Sequence, residues 1–129
     1  MSYQALNQYK SVDLSASVQT ATPHQLIAML FRGALEALAK AKGAVERRDI
    51  ENRTKQINKS TEIIINLKGM LDHEKGGEVA GNLDQLYDYM VRQLMLANRE
   101  NSIEKIDEVA RLISEIATGW SEIPPEQTR

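Results

Sequence analysis

The chain has no cysteine, so disulfides, thiolate metal sites and a cysteine nucleophile are all excluded. Nowhere does it approach the roughly 18 consecutive apolar residues from which a membrane-crossing helix is built. Its first residues also lack the basic-then-apolar layout of a secretory signal. An excess of charge of one sign is missing too: 16 Lys and Arg against 18 Asp and Glu leave a net charge of −2. That balance argues against nucleic acid or an anionic membrane surface as the main partner. There is no short internal repeat and no low-complexity block. What remains is an ordinary globular composition, 42% hydrophobic and 26% charged. At 129 residues the expectation is one cytosolic domain, long enough to bury roughly two-thirds of its unfolded surface.

The chain is organised around residues 76–98, GGEVAGNLDQLYDYMVRQLMLAN. At the helical period Val79, Leu83, Leu86, Tyr87, Met90, Leu94 and Ala97 share one stripe, the pattern of a core-facing helix. Tyr89, Met95 and Leu96 fall outside it. Apolar side chains outside a seam need a cover: another helix, the chain's own terminus, or a partner. That surplus is the first sign of a binding protein.

Three further helices are expected around it. Thr22-Pro23-His24-Gln25 is a helix start: Thr22 caps, Pro23 takes the first helical position where no donor is lost, and Gln25 completes a capping box. From there Leu26, Ile27, Leu30, Ala34, Ala37, Leu38, Ala41 and Val45 form a stripe ending near Arg47, and its alanines let a neighbouring helix come close. Met29, Phe31 and Leu35 lie off it. Asp49 caps a second helix over 50–72, with Asp49/Arg53 and Glu51/Lys55 at i,i+4 spacing. Its seam is Ile50, Ile57, Thr61, Ile64, Leu67 and Leu71, while Ile63 and Met70 share a flank outside it. HEKGG, residues 73–77, reads as a loop into the central helix, and Asn98 as its left-handed end. Asn101 with Glu104 makes another capping box. The last helix, 102–121, buries one narrow stripe from Ile103 to Trp120 and turns a charged face to solvent. Pro124-Pro125 ends the fold before a polar tail.

Residues 1–20 do not read as a disordered tag. Tyr3, Leu6 and Tyr9 make a short apolar face if helical, and Val12, Leu14, Ala16 and Val18 then alternate with polar residues as in an extended strap. A fixed part of the core and a displaceable cover are both open on these residues.

TATPHQLIAMLFRGALEAL, preceded by the leader tyrosines, resembles the opening of the flagellin export chaperones, the FliS family. Gly76-Gly77-Glu78 followed by Asn82-Leu83 and Leu86-Tyr87-Asp88-Tyr89-Met90 is similar to that family's most recognisable run. Ala97-Asn98 and the late Trp120 also match. No single motif is specific, but their joint occurrence in order over nearly the whole chain is. The resemblance implies a chaperone for the C-terminal segment of flagellin, at one to one and without a cofactor. It leaves room for a component of the export gate or an anti-sigma factor as a further partner.

The residues themselves offer no catalytic constellation. His73-Glu74 begins like HExxH, but Gly77 stands where the second histidine is needed. Glu-x-x-His, the di-iron signature of bundles, fails at both histidines, since Ala21 and Met70 stand three before them. Leu67-Lys68-Gly69 is similar to a phosphotransfer bundle, yet the reactive histidine position is Ile65. Gly77 to Gly81 has GxxxG spacing without the strand context of a nucleotide loop. Asp84 and Asp88 share a helix side as solvated charge, with Asp88 placed to pair with Arg92. Lys and Arg at 47, 48, 53, 55 and 59 are a solvated face. His24 reads as a surface residue at a helix end, and Tyr87 as core.

The expected fold is all-α: an antiparallel up-down-up-down four-helix bundle over 22–121, with the 1–20 leader packed on it and a tail at 122–129. The expected groove runs along the second and third helices, which carry the surplus. The partner-binding residues are Leu6, Tyr9, Ile63, Met70, Tyr89, Met95 and Leu96. The alternative is a structural bundle that homodimerises through the same surplus faces, with no membrane insertion in either case.

Overall fold

The computed structural model describes residues 21–124. The leader, with Leu6 and Tyr9, and residues 125–129 of the tail lie outside that range. Within it are four helices: α1 (Pro23–Glu46), α2 (Ile50–Gly69), α3 (His73–Glu100) and α4 (Ile103–Ser121). No strand occurs among the described residues. α1 packs against α2 and α4, and α3 packs against the same two, so the helices close a ring around one core.

Local chemistry sets the boundaries. Gln25 N–H donates to Thr22 Oγ1 at 3.1 Å while Thr22 N–H donates to Gln25 Oε1 at 3.0 Å, the reciprocal capping box. Asp49 accepts from Asn52 N–H at 3.1 Å and starts α2. α3 runs two residues past Asn98 to Glu100, and its C-cap Asn101 is the residue in the left-handed conformation, with φ 54°. Asn98 is held inside the helix because its Oδ1 accepts from Arg53 Nε at 2.9 Å and Thr54 Oγ1 at 3.1 Å. With Asn101 used as a stop, Ser102 caps α4, its Oγ accepting from Lys105 N–H at 3.2 Å. The expected capping box at Asn101 is therefore absent. HEKGG is not a loop either: Asp72 caps a helical turn that joins α3 through a kink at Gly77.

The core is built from Leu38, Ile57, Ile64, Met90, Leu94, Ile106, Val109 and Ile113, all fully buried. Full burial of such side chains contributes about 1.5–3 kcal/mol each before chain entropy is counted. α1 faces two neighbours, so its buried arc is wider than one stripe: Phe31, off the seam by helical period, is buried at 3% exposure. Ala34, Ala37, Ala41 and Ala44 are buried along its length. Small side chains there let α2 come close enough for a Cβ on Gly33 to touch Ile63 Cδ1 at 3.4 Å. Two seam residues are exposed instead, Ile50 at 64% and Val79 at 66%. Ile50 is the first residue of its helix and Val79 adjoins the kink, so each projects beyond the end of the packed ring.

Charged side chains bridge the helices. Lys68 reaches Asp88 at 3.1 Å and Asp84 at 3.8 Å from α2 to α3, and Lys42 meets Asp107 at 3.2 Å from α1 to α4. Arg53, expected to pair with Asp49, donates to Asn98 and Asn101 at the end of α3.

Candidate binding groove

At one end of the ring the helices part around an open groove of about 460 Å³. α1 contributes Ile27 and Phe31 to its floor, and α2 contributes Leu67 and Met70. Leu83 and Tyr87 of α3 and Ile116 of α4 complete an apolar lining. Leu71, Asp72, Lys75 and Gly76 form the side where α2 passes into α3. Three of the large apolar side chains that solvent reaches belong to this same groove: Met70 (40% exposed), Val79 (66%) and Ile123 (36%). The groove is thus a largely apolar concavity with large apolar side chains exposed on its rim, of the kind that accepts hydrophobic groups.

Trp120 forms the wall beside α1. Its indole stacks on the His24 ring, centroids 4.9 Å apart and planes inclined by 17°. Trp120 Nε1 donates to the His24 carbonyl at 3.0 Å, and His24 Nε2 lies 3.2 Å from the Trp120 carbonyl, donating to it in the tautomer protonated there. His24 is thus a clamp between the start of α1 and the end of α4, not a free surface residue. Tyr87 is buried at 3% exposure, and burial pushes its hydroxyl pKa up to about 12, so it stays neutral.

The sequence-predicted partner residues fall in different places. Met70 stands on the groove rim. Ile63 is half-buried between α2 and Gly33 of α1. Tyr89 is half-buried, and its hydroxyl donates to Glu108 Oε1 at 2.7 Å, an oxygen that also accepts from Gln93 Nε2 at 2.9 Å. Those two donors, Gln93 foremost, hold the Glu108 carboxyl below the usual range, and Glu108 in turn raises the Tyr89 hydroxyl. Met95 is 66% exposed on α3, and Leu96 is half-buried. Sequence reasoning missed Ile27, Leu71, Val79, Ile116 and Trp120 as groove residues. All five read as ordinary stripe positions, and the usable signal was their place toward the helix ends, where a ring of helices opens.

A second concavity of about 340 Å³ lies at the junction of α1 and α2, between Val45, Arg48, Ile50, Arg53 and Asn101. Among the described residues no group of three or more His, Cys, Asp or Glu stands together to hold a metal ion. Nor is any helix there long and apolar enough to cross a membrane.

Residues 5–127 match the family model described as flagellar protein FliS. The chain is 46% identical over 119 residues to the flagellar secretion chaperone FliSB of Pseudomonas aeruginosa, covering 92% of this chain and 94% of that one. It is 46% identical to the flagellar secretion chaperone FliS of Salmonella typhimurium, over 92% of this chain and 88% of the relative. The Vibrio cholerae flagellar secretion chaperone FliS is 40% identical over 122 residues, 95% of this chain and 90% of the relative.

Proposed function

The chain belongs to the FliS family, and from that premise we propose that it is a cytosolic export chaperone that binds the C-terminal segment of flagellin. The observation that carries this reading is the apolar groove with Met70, Val79 and Ile123 exposed on its rim. A segment that is disordered before assembly can lay the apolar side of a nascent helix into such a groove and fold as it binds. While covered, that apolar side cannot nucleate polymerisation with other subunits. Release needs competition at the export gate and no chemistry, so the protein acts without a cofactor and not as an enzyme.

The bundle is read as antiparallel, up-down-up-down. Arg53 near the start of α2 bonds Asn98 near the end of α3, while Lys68 at the end of α2 meets Asp84 in the first half of α3. Client contact extends from the groove along α2 and α3 toward Met95, and the leader with Leu6 and Tyr9 covers apolar surface until the client enters. Calorimetric titration with a peptide of flagellin's last fifty or so residues tests the reading: saturation near one to one supports it, and no heat at several temperatures sinks it. Removal of residues 1–18 tests the leader, since unchanged affinity and unchanged stability together would rule out its covering role. A concentration-dependent mass without affinity for flagellin would favour the homodimer through the surplus apolar faces, on which Met70 and Met95 are exposed.

A further inference from the structure

Gly77 has φ 50° and ψ −123° within α3. Those angles resemble the first central position of a type II′ turn, which glycine and D-residues adopt readily and L side chains do not. Before it, residues 73–76 form a single helical turn with a cap of its own. The Asp72 carboxylate accepts from Lys75 N–H at 3.0 Å, and Gly76 N–H donates to the Asp72 carbonyl at 2.8 Å. After it, α3 continues as a packed helix to Glu100.

Gly76 belongs to the same device for a different reason. A Cβ placed on it would lie 2.8 Å from the Cβ of buried Ala80. In a continuous helix, Cβ atoms four residues apart are about 5–6 Å from each other. The close approach is therefore a property of the kinked path and would vanish if α3 ran straight. Two adjacent glycines each remove one obstacle to the kink, one steric and one conformational.

The kinked turn is part of the groove. Asp72, Lys75 and Gly76 line it beside Val79. Every residue from 72 to 79 is exposed, so little apolar burial anchors this wall, in contrast to the rest of α3. A wall with a glycine joint at one end and few buried contacts is built to move.

We propose that the turn 73–76 is a hinged flap: kinked at Gly77 it walls the groove, and when Gly77 becomes helical the flap swings onto the α3 axis and the groove opens to an apolar helical segment. The gating part rests on the reading of the groove as the client site, whereas the hinge stands on backbone geometry alone. Alanine in place of glycine favours a helical residue by about fivefold, and at position 77 it also penalises the positive φ. Gly77→Ala therefore straightens α3, while D-alanine at position 77 holds the kink.

Backbone and methyl NMR of the full chain tests this in three forms: unsubstituted, Gly77→Ala, and a semisynthetic chain with D-alanine at position 77. In Gly77→Ala the Cα shifts of residues 73–79 become those of an unbroken helix, and the methyl signals of Leu71, Val79 and Leu83 move. The D-alanine chain keeps the shifts of the kink. Kinked shifts persisting in Gly77→Ala, or groove methyls unmoved as the helix straightens, would overturn the flap without any client present. If Gly77→Ala does not fold, Gly76→Ala, which acts through the Ala80 contact, carries the same expectation. With the flagellin peptide added, association with the D-alanine chain is slower than with Gly77→Ala by about fivefold or more. Equal association rates would overturn the gating. Binding to none of the three would sink the client reading, while the methyl shifts still decide the hinge.

Discussion

His24 and Trp120, 96 positions apart, hold each other by stacked rings and by two reciprocal side-chain to backbone contacts of 3.0 and 3.2 Å. The pair ties the first turn of α1 to the last turn of α4, and its Trp120 stands on the groove wall. Trp120→Phe keeps an aromatic ring but removes the Nε1 donor, at an expected loss of about 1 kcal/mol in urea unfolding. His24→Ala removes the stack, worth about 0.5–1.5 kcal/mol. In a double-mutant cycle the two changes are non-additive by at least about 0.5 kcal/mol, and strict additivity would contradict the clamp.

Leu94 and Met95 are sequence neighbours with opposite surroundings, 0% and 66% exposed. Leu94→Ala opens a cavity in the middle of the ring and lowers unfolding stability by about 2–5 kcal/mol. Met95→Ala changes it by no more than about 0.5 kcal/mol. Denaturant midpoints of the two variants check the contrast.

Tyr87 makes the protein sensitive to alkali. Its hydroxyl ionises near the ordinary value of 10.0 when unfolded and at about 12 when folded. Below pH 10 both states are neutral and the group contributes its full stability. Above that, the unfolded chain releases the proton first, so stability falls by up to about 1.4 kcal/mol per pH unit until the folded value is reached. Tyr87→Phe removes this group's share of the loss, and stability measured between pH 9 and 11 shows the difference.

Glu108 acts at the other end of the scale. Gln93 and Tyr89 hold its folded pKa below the ordinary value of 4.5. Its contribution is therefore present above the unfolded value and is lost as pH falls through the lower folded one. Glu108→Gln shows a shallower loss of stability below pH 4.5 than the unsubstituted protein. The effect is small because the group is open to solvent.

On the groove rim, Met70→Glu and Val79→Glu place a charge where an apolar client side chain would sit. Each weakens binding of the flagellin peptide by about tenfold or more, equivalent to about 1.4 kcal/mol, because a buried unpaired carboxylate is costly. Both side chains are exposed in the free protein, so its melting temperature stays nearly unchanged. A tight complex with either variant would move the client elsewhere on the bundle.

How far the sequence could be read depended on the range of the interactions involved. Thr22, Gln25 and Asp49 act within three residues of themselves, and their caps were legible to the hydrogen bond. The end of α3 was not, because Asn98 is held in the helix by Arg53 and Thr54 on α2, partners that no local pattern reveals. Gly76-Gly77 looked like a loop because glycine breaks helices; that Asp72 would cap a turn ahead of them depends on one side-chain rotamer. Helical period found the core seams, yet it gives the direction of a side chain from its own axis and not the neighbour beyond it. Met70 was thus found on the groove rim, whereas Ile27, Ile116 and Trp120, ordinary stripe residues by period, became groove walls because the ring opens at their end.

The central claim is that the apolar groove receives the C-terminal segment of flagellin, and calorimetry at several temperatures tests it most directly. Titrating the chain with the last fifty or so residues of flagellin should saturate near one to one with a clearly negative heat-capacity change, the mark of apolar burial coupled to folding. Absence of heat at every temperature, together with a dimer in sedimentation, would contradict the account.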